Sequence, residues 1–315
     1  MSKVLVTGGA GFIGSHLVDE LLKLGHEVVV IDNLTTGKED NISHIRSEIE
    51  FIKGDIRDSE TIKKCLDGVE YVFHLAALPS VFRSIDDPLT SNDMNINGTL
   101  NLLIASRDAG VKGFIYSSSS SVYAGIDEIP KREDMCPEPL SPYGITKLTG
   151  ELYCKIFSDL YGLKTVSLRY FNIFGPRQNP DSEYAAVIPK FIKLMLLGKR
   201  PTIYGDGNQT RDFTFVKDAV KANILSMNAK VSGETFNIAC GNQTSLNELV
   251  KKINSYLGTD IEPIYEDPKP GDARYSQADI SKASKFLNYK PSYTFDEGLR
   301  LTIEWFRRKY GLKKD

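Results

Sequence analysis

Cysteine is scarce in this chain, and the few present do not cluster. Cys65, Cys136, Cys154 and Cys240 stand far apart, with no Cys-x-x-Cys pair. Such spacing excludes a zinc ribbon or a dithiol redox centre and reads as reduced packing thiols. Histidine is equally rare: His16, His26, His44 and His74 show no metal-ligand spacing, so packing or surface roles and no metal site are expected. An excess of either charge is also missing. Lys and Arg number 39 against 41 Asp and Glu, and a net charge of −2 offers no drive for counterion release from a nucleic acid. No apolar run approaches the roughly 20 residues that span a bilayer. Met1-Ser2-Lys3 leads straight into an apolar strand, so no secretory leader is expected and the cytoplasm is the expected compartment.

What is present is the composition of an ordinary globular protein, 41% apolar and 25% charged over 315 residues, enough for one large α/β unit or two domains. Short runs rich in Val, Ile, Phe and Tyr ("KVLVTGG", "EVVVIDN", "IEFIKGD", "VEYVFHLAA", "GFIYSSSS", "KTVSLRYFN") alternate with amphipathic helical stretches. That alternation predicts an α/β fold with a doubly wound parallel (Rossmann) sheet. After about residue 175 the strands shorten and Pro and Gly become frequent. The expected organisation is a cofactor-binding domain over 1–175, a smaller α/β substrate domain over 176–315, and parts of 210–240 returning to the first. No internal repeat is visible.

"VLVTGGAGFIGSHLVDELLK" sets Gly8, Gly11 and Gly14 between an apolar strand and a helix beginning near Phe12 and Ile13. A helix N-terminus offers unpaired N–H groups and a positive dipole end to a pyrophosphate, and the glycines let the backbone approach it. Asp32, 18 residues after Gly14, ends the next strand, where a carboxylate hydrogen-bonds ribose hydroxyls and repels a 2′-phosphate. No Arg or Lys lies between Asp32 and Gly37, so NAD is favoured over NADP, with Asn33 and Gly37 in the same loop. A plain packing turn is the alternative, and the strand-turn-helix context with its acid disfavours it.

"SPYGITK" places Tyr143 and Lys147 four apart, on one face of a long amphipathic helix. A phenol titrating near ~10 is a poor base at neutrality, and a neighbouring ammonium with a cationic nicotinamide is expected to pull it toward working pH. Upstream, "YSSSSSVYAG" ends a strand on five serines, Ser117 to Ser121. Such tracts are usually linkers, but here they sit where a parallel strand delivers ligand-facing side chains.

The G-x-x-G-x-x-G spacing, "GD" at 54–55, "HLAA" at 74–77 and Y-x-x-x-K together resemble the extended short-chain dehydrogenase/reductase family over nearly the whole chain. The resemblance implies adenine contacts from Asp55 and Ile56 and a cofactor-lining loop of Leu75, Ala76 and Ala77. It implies that Tyr143 moves a hydroxyl proton, that Lys147 holds the nicotinamide ribose, and that Ser119 hydrogen-bonds the reacting oxygen. Sugar-nucleotide dehydratases of the family carry Asp-Glu where this chain has Ser120 and Ser121, so elimination is disfavoured and oxidation with reduction at one carbon remains. One departure is Ala124, which intervenes where the family has Gly directly after the tyrosine of "VY".

The second half is similar to UDP-sugar 4-epimerases, most of all those acting on N-acetylated sugars. That similarity implies contact of Asn172 with the sugar diphosphate, Tyr170 and Phe171 bordering the nicotinamide, and a bed for uracil around Ala186 and Val187. Arg211 and Lys269 would hold phosphates and Asp272 a ribose, with Lys269 equally open to being a solvated loop residue. Ser276 stands where glucose-restricted relatives have a tyrosine, leaving room for an N-acetyl group. Ser80 and Arg83 follow the fourth strand toward the sugar, and Arg83 stands open as the partner of a uronic carboxylate. The reading is thus a UDP-hexose 4-epimerase with tightly bound NAD. Its rivals are a UDP-uronate 4-epimerase and, from another class, a non-catalytic NAD-sensing module. A homodimer through a four-helix bundle, using helices near 90–109 and 143–161, is implied by the same resemblance.

Overall fold

A computed structural model describes residues 1–182, 185–268 and 274–310. Six strands open the sheet: β1 (Lys3–Thr7), β2 (Glu27–Asp32), β3 (Glu50–Lys53), β4 (Tyr71–His74), β5 (Gly113–Ser119) and β6 (Thr165–Tyr170). Four short strands then lie outside it: β7 (Ile173–Phe174), β8 (Thr202–Tyr204), β9 (Thr210–Arg211) and β10 (Thr214–Phe215). The chain returns with β11 (Glu234–Ile238) beside β6, and β12 (Thr244–Ser245) and β13 (Ile264–Glu266) follow. The order is β11-β6-β5-β4-β1-β2-β3, parallel throughout. The expected doubly wound sheet is present.

Strand periodicity decides which side each residue serves. Val4, Val6, Val28 and Val30 face one side, where α1 (Phe12–Lys23) packs. Leu5, Val29 and Ile31 face the other, against α2 (Ser59–Cys65). Both faces are covered, which is why these strands read as continuous apolar runs. After β4 come α3 (Val81–Asp86), α4 (Pro88–Asn92) and α5 (Gly98–Asp108). A single helix near 90–109 was expected; Asp93–Asn97 instead form a π-helical turn between α4 and α5. It turns Asn95 inward, where the side chain is buried and bonded.

Helix α6 (Pro142–Tyr161) begins with Ser141 as N-cap, accepting from Gly144 N at 3.1 Å, and Pro142 in its first turn. It ends at Gly162, whose φ of 69° a side chain would strain. The second half supplies α7 (Val187–Leu196), α8 (Val216–Asn228), α9 (Leu246–Leu257), α10 (Ser281–Leu287) and α11 (Phe295–Lys309). Helix α8 joins α1 on the main sheet, while α7, α9 and α11 enclose a separate core with Phe174, Phe213 and Phe215. Strand order reverses between β1 and β4, so a crevice opens at the carboxyl ends of these strands, where such sheets receive ligands.

Candidate active site

The turn after β1 is built for close approach. Gly8 has φ 70°, and a Cβ there would lie 2.8 Å from Ala76 N; a Cβ on Gly14 would overlap the carbonyl of Gly8. Gly11 caps α1 without any side-chain bond, and no acid occupies the first turn around Phe12 and Ile13, so these N–H groups are left for an anion. Leu75 N bonds Thr7 O at 3.2 Å and Ala76 N bonds Thr7 Oγ1 at 3.1 Å, which lays the loop through Ala77 along the glycine turn. Asp32 is buried at the end of β2, its oxygens accepting from Ala10 N at 3.0 Å and Leu34 N at 2.8 Å. Burial raises its pKa. A Cβ on Gly37 would press within 2.7 Å of that carboxylate. A cradle that any side chain would fill, open amides and a strand-end acid fit a dinucleotide.

Asp55 is engaged within the protein. Arg57 Nε and Nη2 each donate to it at 2.9 Å and Asn33 Nδ2 at 3.0 Å, and the Arg57 bonds hold it down to about 2. Ile56 is buried against Gly98.

The serine run is no linker, for three of its members, Ser117, Ser118 and Ser119, engage partners through their side chains. Ser117 O receives Lys147 Nζ at 2.8 Å, while Ser117 Oγ donates to Tyr170 Oη at 3.2 Å. Ser118 points to the opposite side and donates to Glu151. Ser119 Oγ accepts from Ser121 N at 3.2 Å and lies near enough to the Tyr143 phenol to favour its ionised form. Ser121 Oγ is buried with no partner among the described residues. Ser120 and Ser121, both uncharged, follow in the turn Ser120–Tyr123, and the carbonyl of Ser121 lies against Gly144, next to Tyr143.

Among the protein's own groups, Lys147 does not lower Tyr143. Burial pushes the phenol up to about 12, opposed only by nearby Ser119. Burial likewise brings Lys147 down to about 8, opposed first by Glu151. The ammonium spends its hydrogen bond on Ser117 O and lies 5.9 Å from the Tyr143 ring, too weak a field to offset desolvation.

The other candidates are carried by several different segments. Ser80 (φ 123°) caps α3, accepting from Arg83 N at 3.2 Å; Ser84, next on that helix, receives Tyr143 N at 3.0 Å. Tyr170 ends β6 buried, its hydroxyl also taking Asn223 Nδ2 at 2.7 Å. Asn172 (φ 39°) donates to Asp212 O at 3.4 Å. Ala186 is the N-cap of α7 and Val187 its first residue. Arg211 lies on β9, and Ser276 N bonds Thr210 O alongside it at 3.2 Å. Lys269 and Asp272 fall outside the described residues. Among the described residues no group of His, Cys, Asp and Glu is arranged to hold a metal.

A profile of the NAD dependent epimerase/dehydratase family matches residues 4–239. The chain belongs to that family. A UDP-glucose 4-epimerase of Mycolicibacterium smegmatis is 40% identical over 311 residues, 98% of this chain and 99% of the relative. Among solved structures, a UDP-N-acetylglucosamine 4-epimerase from Methanobrevibacter ruminantium M1, in complex with UDP-N-acetylmuramic acid, superposes with TM-score 0.94 at 45% identity, covering 98% of this chain and 99% of that one. A UDP-glucuronic acid 4-epimerase from Bacillus cereus, with UDP-glucuronic acid and NAD, gives 0.90 at 37%, covering 98% and 100%.

In this NAD-dependent family member several site-bearing residues escaped the sequence reading. Asn95 Oδ1 accepts from Leu78 N at 2.7 Å, and its Nδ2 donates to Leu78 O at 3.2 Å and Thr146 Oγ1 at 3.1 Å. Thr146 Oγ1 in turn donates to Tyr143 O at 2.8 Å, so the first turn of α6 is braced on the loop after β4. Glu151 takes both Arg169 Nε (2.9 Å) and Nη2 (2.7 Å) in a buried pair one turn below Lys147. Only the four-residue step from Lys147 to Glu151 hinted at this; Asn95 gave no local signal.

Proposed function

We propose that this protein interconverts C4 epimers of a UDP-hexose, UDP-N-acetylglucosamine with UDP-N-acetylgalactosamine first and UDP-glucose with UDP-galactose second. The carrying observation is buried Lys147, bonded to Ser117 O and 5.9 Å from the Tyr143 ring, with Ser119 beside that phenol and two uncharged serines following it in the chain. Gly8, Gly11, Gly14, Asp32 and Ala76 would hold NAD, with Lys147 and Tyr143 at its nicotinamide end. When bound, NAD supplies a hydride acceptor and then a hydride donor. Tyr143 takes the proton of the C4 hydroxyl and later returns it, while Ser119 orients that oxygen. The protein's own groups keep the phenol neutral, so the positive charge of the oxidised cofactor is assigned the task of lowering it. Ser120 and Ser121 can neither remove the C5 proton nor protonate a leaving hydroxide, so the 4-keto sugar is left to turn over and be reduced on its other face. Arg211, Asn172 and Ser276 are assigned to the UDP and hexose, Lys269 and Asp272 to phosphate and ribose. The working division is 1–175, joined by 216–238, for NAD and 176–315 for the sugar nucleotide.

A second reading, a UDP-uronate 4-epimerase, draws on Arg83, which shares α3 with the Ser84 that holds Tyr143. Two copies are proposed to pair through α5 and α6, and reduced cysteines suit a cytoplasmic setting. The test is a screen of the purified protein without added cofactor. UDP-N-acetylglucosamine and UDP-glucose should convert, with NAD released on denaturation. Conversion of UDP-glucuronate alone would select the second reading, and NAD without conversion of any UDP-sugar would leave a sensing module.

A further inference from the structure

Asp212 is fully buried, and the partners of its carboxylate are main-chain amides. Oδ1 accepts from Cys240 N at 3.0 Å, and Oδ2 from Gly241 N and Ala278 N at 3.1 Å each. Burial still pushes the carboxyl up to about 6, so the amides offset its desolvation only in part. A group retained at such a cost calls for a role.

These amides share a location. Strand β9, which carries Arg211, runs between two neighbours. On one side is β12, with Thr244 opposite Arg211. On the other is the segment 274–276, where Thr210 N donates to Arg274 O at 3.0 Å and Ser276 N to Thr210 O at 3.2 Å. Cys240–Asn242 lead into β12, and Ala278 follows Ser276. The residue next to Arg211 therefore ties both neighbours to β9. Its own carbonyl accepts from Asn172, which joins the exit of β6 to the same frame.

We propose that Asp212 is the positioning residue of the UDP-binding wall, holding Arg211, Asn172 and Ser276 in one rigid frame so that the nucleotide is gripped while the hexose turns. The inference rests on the assignment of Arg211 and Ser276 to the substrate made above. Replacing one carboxylate oxygen by an amide NH2 would set a donor against buried donors, leaving main-chain N–H groups unpaired and the segments free to part.

UDP itself is the probe, titrated calorimetrically into the NAD-loaded wild type, Asp212→Asn and Arg211→Ala, with KM and kcat for UDP-N-acetylglucosamine alongside. Asp212→Asn is expected to raise both the Kd for UDP and KM by about tenfold or more, with kcat within about threefold of wild type. A fall in kcat with Kd and KM unchanged, or wild-type behaviour throughout, overturns the proposal. If Arg211→Ala weakens UDP while Asp212→Asn does not, the positioning role alone fails. If Arg211→Ala leaves UDP affinity intact, the substrate assignment fails and the proposal with it. Should Asp212→Asn not fold, hydrogen exchange on the wild type decides: UDP must slow the Cys240, Gly241 and Ala278 amides, and unchanged rates overturn the proposal.

Discussion

Tyr143 and His74 are both titratable groups that burial keeps neutral, with opposite consequences. For Tyr143 the neutral phenol awaits a proton-transfer task, so Tyr143→Phe should lower turnover by at least about 100-fold while leaving bound NAD in place. Near-normal turnover with a retained cofactor would remove it from the mechanism. His74 accepts or donates between Thr7 Oγ1 and Thr99 Oγ1, each at 2.8 Å. Thr99 already donates to Asn95 O at 2.6 Å, so its oxygen receives His74 Nε2–H, and Nδ1 is left to accept from Thr7. A second ring proton has no acceptor, and burial accordingly brings His74 down to about 3. The unfolded chain then binds more protons than the folded one between about pH 3 and the ordinary histidine range near 6.5. Stability from this group is therefore complete above pH ~6.5 and lost as pH falls, on the order of 2–3 kcal/mol by pH 4.5. Urea unfolding of wild type and His74→Asn at pH 7 and 4.5 should show the shallower loss in the variant; equal slopes would exclude His74 as the cause. At Ser276, a tyrosine would fill the space assigned to the N-acetyl group. Ser276→Tyr is expected to abolish turnover of UDP-N-acetylglucosamine and spare UDP-glucose. Equal losses on both sugars would mean that Ser276 is not the gate.

At the scale of elements, the distance between α6 and β5 sets the chemistry, because one carries Tyr143 and Lys147 and the other Ser117 and Ser119. Gly150 permits that distance, since a Cβ there would overlap the Tyr116 hydroxyl and ring. Gly150→Ala should push α6 outward, costing about 1–3 kcal/mol of stability and a larger share of activity, because Lys147 leaves Ser117 O. Thermal melts with turnover measured well below Tm would separate the two effects, and full activity in a destabilised variant would refute the spacing argument. Reading the sequence placed the Tyr-Lys pair on a helix face and the serines at a strand end, because both depend on local periodicity. It could not find the π-helical turn at Asp93–Asn97, whose cause is the long-range bonding of Asn95 to Leu78 and Thr146. Nor could it anticipate that desolvation would outweigh the Lys147 charge at Tyr143.

For the whole molecule, α6 presents Ile145, Leu152, Ile156 and Leu160 at helical spacing, and Leu152 and Leu160 are 56% and 69% exposed. Leu89 and Ile104 lie exposed on the neighbouring helices α4 and α5. A second copy burying this stripe is the proposed cover, and Leu152→Arg is expected to turn a dimer into a monomer in light scattering after size exclusion. An unchanged mass in the variant, or a monomeric wild type, would refuse that interface. The sequence alone determined the parallel sheet, the glycine turn with Asp32, and the serine, tyrosine and lysine of the crevice, since strand alternation, glycine sterics and i, i+4 spacing are properties of neighbours along the chain. Only the tertiary structure decided that β11 closes the sheet beside β6, that Arg57 takes Asp55, and that Asp212 gathers amides from two distant segments. Those outcomes depend on buried polar groups finding partners far away in the chain, and desolvation, which sets their strength and their pKa values, exists only once the core has formed.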